Sequence, residues 1–145
     1  MAYRLSQRSK NNLSGVHPDL VAVVKRAIEI TEQDFSVIEG VRNIERQRQL
    51  VAQGKSQTMN SRHLTGHAVD LAPYPLSWEW EYFYPIADAM IQSCQELDVA
   101  LRWGGNWMVR DLREWSGSGL ELAQEYDGDF PDGPHWELNW SEYPK

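Results

Sequence analysis

The apolar positions of this chain change period several times, and each change marks an element. Residues 1–16 are polar, with turn formers Asn11, Asn12, Ser14 and Gly15, and read as an arm leading into the first helix. His17-Pro18-Asp19 reads as a helix start: proline suits the first turn, and aspartate favours the positive end of the dipole. Leu20, Val23, Val24, Ala27 and Ile28 then recur at three- and four-residue steps, predicting an amphipathic helix over about 18 to 32. The run from Phe35 to Arg42 is rich in β-branched and aromatic residues and reads as a strand. A helical run from Ile44 to Gln53 follows, closed by Gly54, and a polar loop spans Lys55 to Asn60.

Ala68-Val69-Asp70-Leu71-Ala72 is a short predicted strand. Side chains alternate along it, so Val69 and Leu71 face a core while Asp70 faces away between small alanines. Pro73, Pro75 and Ser77 break the pattern, and Ser77 is placed to cap a turn through Trp78-Glu79-Trp80. Pro85 lies near a fresh helix start, and Ile86, Ala87, Met90, Ile91, Cys94 and Leu97 mark that helix's buried face. Ala100 to Trp103 reads as a strand, and Gly104-Gly105-Asn106 as a turn. Arg110 to Arg113 and Leu120 to Glu125 read as short helices around a Ser116–Gly119 break, and Tyr126 to Gly133 as loop. The stretch from His135 to Trp140 alternates: His135, Glu137 and Asn139 on one face, Trp136, Leu138 and Trp140 on the other.

At 145 residues the chain suits one domain, large enough to bury a core without disulfides or metal staples. A metal here would therefore serve chemistry rather than folding. The net charge of -7 argues against nucleic acid as the main partner, which needs a basic surface. Cations are still enriched early, among them Arg4, Arg8, Lys10, Lys25 and Arg26, and acids late, from Glu114 to Glu142. That asymmetry either orients the protein on a charged polymer or is an ordinary solvated surface. The single cysteine, Cys94, sits in an apolar helical pattern and reads as core. No run of about 18 apolar residues exists, so no membrane span or insertion is expected, and the N-terminus shows no apolar signal region.

The candidate chemistry gathers in two stretches, Ser61-Arg62-His63-Leu64-Thr65-Gly66-His67-Ala68-Val69-Asp70 and Asp132-Gly133-Pro134-His135-Trp136-Glu137. Catalytic zinc takes three protein ligands, of nitrogen and oxygen type, plus a water. His63, Asp70 and His135 fit that count. A general base must lie nearby without ligating the metal; Asp132, three residues before His135 across Gly-Pro, can be aimed there. Glu137, on the strand face of His135, is the rival base or a partner that orients a ligand imidazole. Taken by spacing alone, two histidines and an aspartate point to coincidence more than to a metal site. Arg42, at a strand end, reads either as a site residue or as a surface ion pair. Glu125, Asp127 and Asp129 alternate beside glycine, as calcium ligands can, but the EF-hand loop pattern is absent. A second cation such as Ca2+ near Asp127 and Asp129 and a solvated acidic loop are both open.

Ser-x-His-x-x-Gly-x-Ala-x-Asp followed by His-Trp-Glu resembles the signature of the zinc peptidases that include D-alanyl-D-alanine carboxypeptidases and vancomycin-resistance dipeptidases. A finer resemblance is to phage endolysins of the L-alanyl-D-glutamate peptidase type. It is carried by Leu5-Ser6-Gln7-Arg8-Ser9 with Gly15 to Leu20, by Gly40-Val41-Arg42, and by Asp132-Gly133-Pro134-His135. The resemblance implies a single α+β domain over residues 1–145, a small antiparallel sheet flanked by helices as in the hedgehog signalling domain, with no separate wall-binding domain. It implies one Zn2+ held by His63, Asp70 and His135, with Asp132 as catalytic base where relatives often carry glutamate. Arg42 would bind substrate or stabilise the oxyanion, and Ser61 would lie near the substrate. The implied activity is hydrolysis of the L-alanyl-D-glutamate bond of the peptidoglycan stem peptide by a monomer. Such a protein waits in the host cytoplasm, is released by a holin-type membrane partner, and acts on periplasmic murein to lyse the host. The alternatives are a D-alanyl-D-alanine carboxypeptidase or dipeptidase, and a catalytically inactive zinc-containing wall-binding module. An acidic residue at 132 favours an enzyme over a module, which needs no base.

Overall fold

A computed structural model of the chain describes residues 2–56 and 61–144. The end of the predicted polar loop, residues 57–60, lies outside them. Four antiparallel strands form one sheet in the order β1-β2-β4-β3: β1 is Phe35–Glu39, β2 Ala68–Pro73, β3 Leu101–Trp103 and β4 His135–Leu138. Five helices accompany it: α1 Gln7–Asn12, α2 Pro18–Ile30, α3 Ile44–Ala52, α4 Phe83–Leu97 and α5 Gly119–Gln124. This is the α+β architecture that the resemblance implies.

The core lies on one face of the sheet. Val37, Val69, Leu71, Trp103 and Trp136 point into it, and α2 and α4 cover it with Leu20, Val23, Val24, Ile86 and Met90, all buried. Trp103 and Trp136, paired across β3 and β4, stack with ring centroids 5.2 Å apart. Cys94 belongs to this core; burial pushes its thiol up to about 12, so it is an inert packing residue.

Leu97, expected on the buried face of α4, is exposed, and two larger sequence expectations also change. Residues 1–16 are not simply an arm: Gln7–Asn12 form α1, capped by the Ser6 side chain on the backbone N–H of Ser9. A six-residue polar helix has no apolar period to betray it. Its role is tertiary. At the outer edge of β1, the Val37 N–H donates to Ser9 Oγ at 3.0 Å, and the Asn12 side-chain amide donates to the Val37 carbonyl at 2.8 Å. Two side chains thus replace a neighbouring strand and close an edge that would otherwise be a template for pairing.

The second change is in β1, which ends at Glu39 rather than Arg42. Val37 pairs with Leu71 but Glu39 pairs with Asp70, so the register slips by one residue between them. Because the side-chain period of a strand is two, that slip turns Glu39 away from the core, the face its spacing from Phe35 and Val37 assigns it. Glu39, Asp70 and His135 then lie abreast on the opposite face across β1, β2 and β4.

Replacing Ser9 with alanine leaves the buried Val37 N–H without an acceptor and should cost about 1–3 kcal/mol. Urea unfolding measures this; an unchanged midpoint would show that α1 does not complete the edge.

Candidate functional site

The non-core face of the sheet opens into a cleft of about 670 Å³. Its lining brings together every site residue expected from the sequence: Arg42, Ser61, His63, Asp70, Asp132, His135 and Glu137. These residues from four separate stretches of the chain meet there.

His63 rides on a 3-10 turn, Arg62–Thr65. Ser61 caps that turn, its Oγ accepting from the His63 N–H at 3.2 Å, and Gly66 ends it at φ 76°. A side chain on Gly66 would be strained there and would meet the Gly15 carbonyl oxygen at 2.6 Å. The turn is tied down further where the Arg42 N–H donates to the His63 carbonyl at 2.9 Å. Asp70 and His135 need no such turn. They are a cross-strand pair of β2 and β4, which fixes their separation.

One ligand atom each from His63, Asp70 and His135 lie within 4.8 Å of one another, and this group could hold a metal ion. His63 Nε2 is 3.1 Å and His135 Nδ1 3.4 Å from Asp70 Oδ1. The remaining ring nitrogens are committed outward. His63 Nδ1 donates to the Gly40 carbonyl at 2.8 Å, and His135 Nε2 donates to Glu137 Oε1 at 2.8 Å. Those outward bonds fix the tautomers. With both rings neutral, two lone pairs would converge on a carboxylate oxygen, so the arrangement needs positive charge at its centre. A metal cation meets that need with the donors already aimed; without one, protons must.

The electrostatics follow. Burial alone would raise the Asp70 carboxyl, but His63 and His135 outweigh it and hold the group well below the usual carboxylate range. Burial pulls His135 down, but its bonds to Asp70 and Glu137 win and push it up to about 10. Burial raises the Asp132 carboxyl, and the charge of Asp70 adds to the rise, while the histidines and Arg42 oppose it.

Arg42 is nearly enclosed, 8% exposed, yet well partnered. Its Nε and Nη2 form a two-pronged bond with Glu39, at 2.8 and 2.9 Å, and Nη1 donates to Gln47 at 2.7 Å. Nη2 also lies 3.6 Å from Asp70 Oδ2. The surface ion-pair alternative does not hold. Glu137 has both carboxylate oxygens engaged, Oε1 by His135 and Oε2 by the Trp140 indole N–H at 3.2 Å. Asp132 is brought close by Gly104, where an added Cβ would meet the Asp132 carbonyl oxygen at 2.3 Å.

Several contributors escaped the sequence reading. Glu39 and Gln47 hold Arg42, the Gly40 carbonyl orients His63, and Trp107 lies against His135 with ring centroids 5.1 Å apart. Arg62, between two motif residues, is buried over the Trp140 ring at 4.2 Å and donates to the carbonyls of Leu138 and Tyr143. None has a local signature except Arg62, whose place inside the motif was a usable signal. His17 caps α2, and His67 bonds Thr65; neither lies in the cleft. Among the described residues, Glu125, Asp127 and Asp129 belong to no ligand group, so a second cation there has no support, although Asp129 lines the cleft.

Fold and site together define a small α+β domain built around a group able to hold one metal ion. The model of the phage L-alanyl-D-glutamate peptidase family matches residues 1–139, and the chain belongs to that family. It is 33% identical over 114 residues to the L-alanyl-D-glutamate peptidase of Escherichia phage T5, an alignment covering 74% of this chain and 83% of that protein. The crystal structure of the Serratia marcescens L-Ala D-Glu endopeptidase ChiX superposes with a TM-score of 0.78 at 40% identity, covering 98% of this chain and 95% of that one.

The raised imidazole sets a pH dependence for the metal-free protein. Protonated His135 stabilises the fold fully below about pH 6.5, the ordinary imidazole value. That contribution is lost as pH rises through about 10. Chelator-treated protein should melt at falling temperature across this window. Added Zn2+ should restore the melting temperature, because it replaces the protons and binds only the native state. Melting insensitive to both pH and metal would rule the cluster out as a ligand group.

Proposed function

We propose that this protein is a zinc-dependent peptidoglycan endopeptidase that hydrolyses the L-alanyl-D-glutamate bond of the murein stem peptide. The observation that carries the reading is the convergence of His63, Asp70 and His135 with the raised carboxyl of Asp132 in one cleft, in a chain of this family. Two imidazoles and a carboxylate are the donor set of a catalytic zinc site with a position left open. Zinc held there supplies Lewis-acid polarisation of a carbonyl and an acidified water.

The chain's own residues do the rest. Asp132 takes a proton from the attacking water as its oxygen bonds to the L-alanine carbonyl carbon. As the C–N bond breaks, Asp132 returns the proton to the leaving nitrogen of D-glutamate. A carboxyl raised by burial suits both duties, because its pKa approaches the working pH. Glu137 orients His135 rather than acting as base, since both its oxygens are engaged. Arg42 braces Asp70, which His63 and His135 keep ionised; its N–H groups not used by Glu39 and Gln47 are the contribution of this guanidinium to an acidic substrate or a developing oxyanion. Ser61 acts by holding the turn that carries His63. The functional unit is a single catalytic domain, working as a monomer.

Digestion of purified murein with product masses read out tests this. New N-terminal D-glutamate is expected. Released D-alanine would indicate the carboxypeptidase activity instead, and no product from zinc-loaded protein would indicate a binding module. Asp132→Ala should retain zinc and lose about 10²- to 10⁴-fold in turnover; full activity would transfer the base role to Glu137.

The same reading places the protein in the host cytoplasm until a holin-type partner opens a path to periplasmic murein. No helix among the described residues is long and apolar enough to cross a membrane. Expressed without such a partner in a bacterium with a thin wall, the active protein should accumulate without lysis; spontaneous lysis would contradict the requirement.

A further inference from the structure

A second groove, of about 700 Å³, lies at the opposite end of β1 and β2 from the metal-ligand cluster. Its lining includes Arg4 and Arg8 beside Tyr74, Leu76 and Trp78, whose residues are 61%, 62% and 59% exposed. Large apolar side chains held that far into water form a patch, not scattered surface residues. Neither Arg4 nor Arg8 makes an ion pair or a side-chain hydrogen bond among the described residues. This contrasts with Arg26, Arg42 and Arg113, each paired with carboxylates. The one acid in the groove, Asp34, accepts from the Phe35 N–H at 2.9 Å, so one of its oxygens serves its own strand. On a chain of net charge -7, two unpaired guanidiniums beside an aromatic wall are a local reversal of sign.

The groove and the active-site cleft are linked by shared wall residues. Trp78 also borders a depression of about 300 Å³ whose walls include Trp80, Phe83 and Asp132. Asp132 in turn lines the cleft that holds the metal ligands. The ledge between is firm: Trp78 stacks on Phe83 with centroids 6.3 Å apart, and Trp80 leans on the same ring at 6.2 Å. A polymer engaged at Asp132 therefore has a track of aromatic surface leading to two free cations.

We propose that the Arg4/Arg8/Trp78 groove is a remote subsite for the acidic peptide arms of murein, engaging a segment beyond the scissile bond. It rests on the murein-peptidase reading. Guanidinium takes carboxylate in two-pronged, charge-assisted bonds, and stem peptides carry the carboxylates. The flat faces of Tyr74 and Trp78 take the aliphatic parts of such a peptide. Tethering through a second contact raises the effective concentration of the scissile bond at the cleft, and remote binding of this kind favours long substrates over short ones.

The test combines binding with kinetics. Zinc-loaded wild-type protein, Arg4→Glu/Arg8→Glu and Trp78→Ala are sedimented with insoluble murein sacculi on ice, so that retention is read without turnover. The double charge reversal should weaken retention about tenfold. Lys10→Glu, a change of the same sign on the same helix but outside the groove, should not. Free acidic stem tetrapeptide should compete for retention, and glycan strands stripped of peptide should not. In turnover, both groove variants should lower the ratio of activity on sacculi to activity on a short soluble substrate ending at D-glutamate. Unchanged retention in the double variant, an equal loss with Lys10→Glu, or competition by bare glycan would each overturn the subsite. Because retention does not depend on which bond is cut, an unexpected cleavage product would count against the proposed reaction without deciding the groove.

Discussion

A carboxylate that faces two imidazole nitrogens carrying no proton cannot stand in a protein interior unless charge is supplied. Asp70 imposes that demand, and much of the structure answers it. Each imidazole spends its outer nitrogen on an acceptor, the Gly40 carbonyl for His63 and the Glu137 carboxylate for His135, so that the inner nitrogens converge. Arg42 approaches from the remaining side, itself held by Glu39 and Gln47. Removing any of these partners would free a ring to rotate or a tautomer to change. The result is a pocket ready for a cation at little cost in reorganisation, which is the condition for electrostatic catalysis.

The scaffold serves the same demand through register. The cross-strand pair Asp70–His135 is as rigid as the sheet, and the core of Trp103, Trp136, Leu71 and Val69 on the other face holds that sheet. The slip between Val37 and Glu39 turns a residue out of the core to grip Arg42. Only His63 and Asp132 depend on turns, and both turns rely on a glycine, Gly66 in one and Gly104 beside the other, where any side chain would meet backbone. A wall-cutting enzyme with a rigid ligand pair and Asp132 on a closely packed loop needs little motion to assemble its site. Its selectivity for a polymer can then come from surface away from the reacting bond, where Arg4, Arg8 and Trp78 lie.

Much of this was legible in the chain. α2 and α4 announce themselves by apolar residues at helical spacing, and β2 and β4 by alternation that sets Asp70 and His135 opposite a core face. The alternation was right about facing from His135 to Leu138 and wrong at Trp140, which lies past the end of β4 and lines the cleft beside Glu137 instead of joining the core. It was also incomplete about exposure, since His135 and Glu137 are buried although they face the cleft. α1 was illegible for the opposite reason, having no apolar stripe and existing to cap a strand edge 25 to 28 residues away.

Local chemistry and spacing therefore narrowed which side chains could ligate or move a proton and set which face of each strand they occupy, since these depend on residue type and on the period of two; the ligand set and the base came from the resemblance. Packing of the whole chain settled the rest. Whether Glu137 is a base or a brace depends on where a second residue's ring nitrogen points. Arg42 becomes an active-site strut only when a bulge elsewhere delivers Glu39. The groove at Arg4 and Trp78 joins residues more than 70 positions apart. Such facts are distances between elements, and no periodicity within an element encodes them.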